Sequence, residues 1–263
     1  MYSEEHKLYL KKRKRKKRCI LFIQLAIIFL FIFIWQLCAD MHLINTFITS
    51  SPKDVVSTVI GLNQSGDLWR HIGITFYETM ISFAIGTILG ILIAILFWWN
   101  EFIAKVMDPY LTILNSLPKV ALGPILIIWV GASMNSIIVM ALMISVIITI
   151  INVYDGFKKT DALKIQLLKS LGANKRQIFF TAVLPSNFYI IISSLKICIS
   201  MSLIGVIMGE FLVSKEGLGY LIMYGSQVFN LNLVMSGIIL LCVLATLMYY
   251  AVCYVEKKLI KHD

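Results

Sequence analysis

One lysine sits where charge is expensive. Lys196 interrupts an apolar stretch, residues 187–209, that is long enough to cross a bilayer. A charge at that depth costs about 2.5–3.5 kcal/mol on insertion scales. It marks either a functional pathway or a side chain that snorkels or pairs with a helix-end carbonyl. Glu210 follows at the far end of the same stretch, with Gly217 and Gly219 just beyond it. It could line an exit, contact a partner or be solvated. Other chemistries lack their residues. The four histidines do not cluster and no H-E-x-x-H occurs, so there is no metal-site signal. The five cysteines are scattered without a C-x-x-C and read as apolar filler. Gly61 and Gly66 have the G-x4-G spacing of a phosphate loop, but Asp67 and Leu68 follow in place of Lys and Ser/Thr. The chain is therefore expected to bind no ATP of its own.

The richest pattern is 160–185, TDALKIQLLKSLGANKRQIFFTAVLP. Thr160 and Asp161 are helix-start residues. Leu163, Leu167, Leu168 and Leu171 recur at helical spacing, with Lys164, Gln166, Lys169 and Ser170 on the other side. Gly172 stands where a left-handed C-terminal cap belongs, followed by Ala173. Asn174 can cap a second helix over 175–184, and Pro185 marks the return to the membrane. The segment is a compact, basic helix–Gly–helix, too short to span. It lies on the bilayer surface or docks into another protein.

The elements that position these residues follow from composition. Apolar residues make up 59% of 263 and charged residues 14%. Soluble domains carry about 25% charge, so lipid must solvate much of this chain. Six stretches are long and apolar enough to span: 19–38, 71–97, 110–130, 134–154, 187–209 and 233–255. Pro109, Pro118 and Pro124 cluster at the third and predict kinks. Ser82, Gly86, Gly90 and Ala94 put a small residue on one face of the second, which predicts close helix packing. The fifth carries Gly205 and Gly209 in the same spacing.

Basic residues set the expected orientation. Nine lie in the N-terminal tail, one in 98–109, six in 155–186 and three in the C-terminal tail. These nineteen share one side, against Lys53, Arg70 and Lys215 on the other. Both termini are thus expected in the cytoplasm. The net charge of +10 reads as this topology signal, with lipid rather than nucleic acid as its partner. The N-terminal apolar run of 20 exceeds a signal-peptide core and lacks a cleavage site, so it reads as an uncleaved span. The segment 40–70 is external and rich in turn residues. The segment 210–232 is too apolar for a free loop and suits a re-entrant or surface-lying piece.

Residues 166–185 resemble the E-A-A-x3-G-x9-I-x-L-P loop of bacterial ABC importer permeases, with Gly172, Leu184 and Pro185 at the matching spacing. Gln166, Leu167, Leu168 and Ala182 stand in place of the motif's Glu, two alanines and Ile. The flanks resemble the nitrate, sulfonate and taurine branch: Ser51-Pro52, then Leu117-Pro118-Lys119-Val120-Ala121-Leu122-Gly123-Pro124 with Trp129-Val130-Gly131, then Gly209-Glu210-Phe211 and Gly217-Leu218-Gly219-Tyr220-Leu221.

The resemblance implies an all-α integral membrane protein of six spans with the type I (MetI-like) permease fold. It implies an organisation of basic tail (1–18), first span with external segment (19–66), permease core carrying loop 155–186 (67–255) and second tail (256–263). It also implies a non-catalytic subunit of the bacterial cytoplasmic membrane. Its partners would be ATPase subunits that use ATP and Mg, an external solute-binding protein and a second permease copy, as a homodimer. Asp161, Gln166, Leu167, Leu168, Gly172, Ala173, Leu184 and Pro185 would form the ATPase-coupling loop. Lys196, Glu210, Gly217 and Gly219 are candidates for the substrate pathway, and a cation there suits a small anionic solute such as a sulfonate, taurine or nitrate, or a vitamin precursor. The competing class is an ion- or proton-coupled secondary transporter. It calls for paired intramembrane acids and inverted repeats, and the spans show neither.

Overall fold

The computed structural model describes residues 4–260, and every regular element among them is helical. Helix α1 (Glu4–Asp40) joins the basic run to the first span without a break. Its apolar window is fully exposed. It meets the rest of the chain at one end, where Gln36 Oε1 accepts from the Lys53 amide and Ala39 is buried. Lipid-facing surface accounts for such a helix.

The segment expected to be rich in turns is mostly helix: α2 (Thr46–Thr49) and α3 (Pro52–Ser65). The Ser51-Pro52 pair starts α3. Ser51 Oγ accepts from the Asp54 amide at 3.1 Å, and Pro52 occupies the first turn, where its missing N–H costs nothing. Gly66, at φ 83°, then turns the chain into α4 (Asp67–Trp99).

The third expected span is broken. Helix α5 (Glu101–Ser116) ends at Leu117 and Pro118, a 3-10 turn spans Lys119–Leu122, and α6 (Gly123–Val130) leaves at 91° to α5. Pro118 forces Leu117 out of the helical region, to ψ 138°, and offers no N–H of its own. Among the described residues five helices are long and apolar enough to span singly, and this bent pair makes a sixth if it crosses as one broken span.

Helix α7 (Met134–Lys158) is the most enclosed of the long helices and sits between α4 and α10 (Leu184–Val213). The small-residue faces make these contacts. A side chain at Gly90 would meet Thr149 Cβ at 2.6 Å, and one at Gly209 would meet Ile137 Cα at 2.9 Å. Ser82, Gly86, Gly90 and Ala94 are all buried. The outer elements are α8 (Ala162–Ser170), α9 (Lys175–Ile178), α11 (Leu218–Gln227) and α12 (Leu231–Ile260).

The second loop helix is not separate from the fifth span. One continuous helical rod runs Lys175–Val213, 39 residues, through a π turn at Phe179–Val183. At 1.5 Å per residue that is about 58 Å, far beyond the roughly 30 Å bilayer core. Pro185 lies inside this rod and does not end it. The widened turn just before it relieves the ring's clash with the preceding turn and absorbs the missing hydrogen bond.

Candidate functional site

Two polar regions stand at opposite ends of the bundle. The first is the 155–186 loop. Asp161 caps α8, accepting from the Leu163 amide at 2.9 Å. Thr160 does something else: its Oγ1 accepts from Asn187 Nδ2 at 2.7 Å, and the same amide group donates to the Val183 carbonyl at 2.8 Å. Both side chains are buried, so this clasp ties the start of the loop to the foot of the long rod. Gly172 takes φ 79°, with open space where a side chain would go. Its amide and that of Ala173 close the end of α8 on the carbonyls of Lys169 and Leu168. Asn174 and Gln177 then form a reciprocal cap on α9. Lys175 Nζ donates to the Trp99 carbonyl at 2.6 Å and lies over the Trp98 ring.

The leucines of α8 do not form one stripe. Leu168 and Ile165 turn inward onto a core of Val153, Phe157, Ile178 and Phe179, joined by Ala173 and Leu184. Leu163, Leu167 and Leu171, spaced by four, turn outward and are 73%, 62% and 74% exposed. Gln166 and Pro185 are also exposed, and Ala182 is buried. The helix thus has two apolar faces, one used within the chain and one with no partner among the described residues.

The second region gathers Glu210, Gly217 and Gly219. Glu210 is 1% exposed and is not solvated. Its Oε1 accepts from Thr75 Oγ1 at 2.6 Å and its Oε2 from the Gly219 amide at 2.5 Å. The Gly217 amide donates to His71 Nδ1 at 2.9 Å, and the Leu218 amide to Thr75 Oγ1 at 2.8 Å. Three successive amides that open α11 are thus held by side chains of α4 and α10. A helix N-terminus has free N–H groups and a partial positive charge, and a carboxylate there satisfies both. The glycines make room: a side chain on Gly219 would lie 2.7 Å from Glu210 Oε2, and Gly217 is as close and sits at φ 106°. Arg70 and Glu216 form an ion pair at the rim.

Lys196 belongs to neither region. It pairs with Glu256 of α12 at 2.9 Å, and Ser193 Oγ donates to the same carboxylate. The lone cation expected from the sequence is therefore half of a helix–helix ion pair. The neighbouring chain position in the tail hid its partner, because Glu256 reads as tail until α12 is seen to run to Ile260.

The family model for the "binding-protein-dependent transport system inner membrane component" matches residues 86–261. The chain belongs to this family. A formylaminopyrimidine transport permease protein of Halalkalibacterium halodurans is 32% identical over 187 residues, 71% of this chain and 74% of that one. A Bacillus subtilis permease provisionally assigned to aliphatic sulfonates transport is 28% identical, over 87% of this chain and 83% of its own. Among solved structures, a chain of the MetNI methionine ABC transporter in an inward-facing state superposes with a TM-score of 0.65 at 18% identity. It covers 74% of this chain and 97% of that one, and the two share a fold. This permease is thus a membrane transport subunit with the MetI-like architecture.

Several residues that build the permease's two polar regions carry no local signal in its sequence. His71, Thr75 and Glu78 look like the start of an apolar span. Glu78 is 2% exposed, and its carboxyl lies beside that of Glu210. The absence of paired acids, expected from reading each span alone, is corrected by this contact between α4 and α10. The spacing of polar residues at 71, 75 and 78 on one helical face was the available clue.

Proposed function

We propose that this permease carries a small, anionic solute inward across a bacterial cytoplasmic membrane, driven by a separate ATPase that docks on the 161–184 loop. The outward leucine face of α8 carries this reading. Three exposed leucines on a well-capped basic helix are costly to leave in water and fit an apolar cleft on a partner. Basic residues at the same end of the bundle support a cytoplasmic side for the loop and both termini. ATP and Mg then belong to the partner, and this chain takes no catalytic part. Gln166 lacks the charge of the motif's Glu, so leucine packing supplies the contact.

A second copy of the chain completes the pathway, and an external binding protein selects the solute. The anionic class rests on the sulfonate-assigned relative; the formylaminopyrimidine named for the other supports a vitamin precursor as the second candidate. Lys196 gives less support than it gave alone, since Glu256 already neutralises it. The test is co-purification of an ABC-type ATPase subunit from the same organism, co-expressed with wild type and Leu167→Glu, each inserted at matched levels. Loss of the ATPase with the permease still in the membrane is the expected result. Equal recovery with both would reject the docking role.

A further inference from the structure

The permease's other end holds a group that the transport reading does not use. Glu78 Oε2 is buried and has no hydrogen-bond donor among the described residues. Thr75, one turn earlier on α4, donates to Glu210, which brings that second carboxyl onto the face of Glu78. No lysine, arginine or histidine forms an ion pair with either among the described residues. Two facing carboxylates cannot both stay ionised in such a place, and one proton between them turns repulsion into a hydrogen bond. A second orphan lies one turn along the same face of α4: Ser82 Oγ is buried and also lacks a partner.

We infer that Glu78 and Glu210 bind a single shared proton, and that this proton latches the N-terminus of α11 onto α4 and α10. The proton resides on Glu78. Glu210 already accepts from Thr75 and from the Gly219 amide, and those donors favour its ionised form. Ionised Glu210 then caps α11, while protonated Glu78 donates to it. Release sends the proton to water and leaves two carboxylates in contact. Their repulsion moves Glu210 away from the Gly219 amide and frees the first turn of α11.

A route for the proton exists. Glu78 lines a cavity of about 500 Å³ that reaches Ser133 of the 131–133 hairpin and Lys215 and Glu216 of the 214–217 turn. By the orientation proposed above, that cavity faces the outside. The other ionisable groups around the pair are few. Helix α4 brings His71, Arg70 and Asp67, and the turn brings Lys215 and Glu216. Helix α11 brings Tyr220, stacked on His71, and Tyr224 stacked on Tyr220. Helix α7 carries no ionisable side chain before Tyr154, at its far end. His71 accepts from the Gly217 amide, so its protonation at acid pH would loosen the same turn from the other direction. The latch is thus closed in between and opens as pH rises past the release of the shared proton.

Two measurements on the full chain in nanodiscs test this. Infrared spectra in deuterated buffer at neutral pH should show a buried protonated carboxyl in wild type, lost in Glu78→Gln. Hydrogen exchange of the 214–224 segment, corrected for intrinsic rates, should lose protection by up to about tenfold per pH unit as pH rises toward the release point and level off above it, as one-proton linkage requires. Glu78→Gln keeps the shape and donates permanently, so its exchange should stay flat over the same range. Identical pH profiles in wild type and Glu78→Gln would overturn the proposal. If that variant does not insert, the wild-type spectrum decides alone. A carboxylic band that disappears as the segment loses protection supports the latch, and no such band sinks it.

Discussion

The two ends of this permease use polar residues in opposite ways. At the basic end, apart from the buried Thr160–Asn187 clasp, polar groups cap short helices at the surface, while three leucines face outward. At the other end, the polar groups are buried and spend their hydrogen bonds on a neighbouring helix, and the apolar residues of α11, Leu218 and Leu221, turn into a core with Ile199, Leu233 and Leu244. One end is built to be completed by something else. The other spends most of its hydrogen bonds within the chain. Energy in the first is therefore expected to appear as association, and in the second as stability.

The largest test of that contrast is Glu210→Ala. It strands the Gly219 amide, removes an acceptor from Thr75 and empties a buried slot. A loss of about 3 kcal/mol is expected, seen as a lower thermal midpoint in detergent. An unchanged midpoint would mean that α11 is not held by this carboxylate. Lys196→Met comes next, because it leaves Glu256, 10% exposed, without its cation. About 2 kcal/mol should be lost, and Lys196→Met combined with Glu256→Leu should recover most of it. If the double variant is as stable as wild type but transports nothing, Lys196 serves the pathway as well as the fold.

The basic end should respond more weakly in stability and more strongly in binding. Gly172→Val forces a β-branched residue to φ near 79°, at about 1–2 kcal/mol of local strain, since no neighbour obstructs the side chain. Limited proteolysis within 160–175 should quicken, with the spans still folded. Asn187→Ala removes the clasp on Thr160 and should cost about 1 kcal/mol. A full loss of ATPase binding on Asn187→Ala, with α8 still helical, would show that the clasp sets the angle at which the loop is presented. The smallest stability effect, within about 0.5 kcal/mol, is expected for Leu167→Glu, which still should abolish ATPase co-purification. A large drop in its melting temperature would erase the contrast between the ends.

Much of the loop was legible. The Asp161 cap, the Gly172 turn and the Asn174 cap depend on φ/ψ and on bonds reaching two or three residues, so the local sequence encodes them. The leucine pattern located α8 but not the division of its faces. Which leucine turns inward depends on where Phe157 and Phe179 arrive from other helices. The proline cluster announced a disturbance of the third span, and only the folded chain fixed it as a break at Pro118 of 91°.

Composition and periodicity alone determined the membrane class, the number and approximate place of the apolar segments, the basic asymmetry and the caps. These follow from the cost of exposing apolar surface to water and from short-range backbone bonding, both local in sequence. The tertiary structure decided the pairings: Lys196 with Glu256, Glu78 with Glu210, Thr160 with Asn187, and Thr75 with Glu210. Partners 27 to 135 residues apart meet because antiparallel helices bring them to one depth, and no window of sequence contains both sides of such a contact.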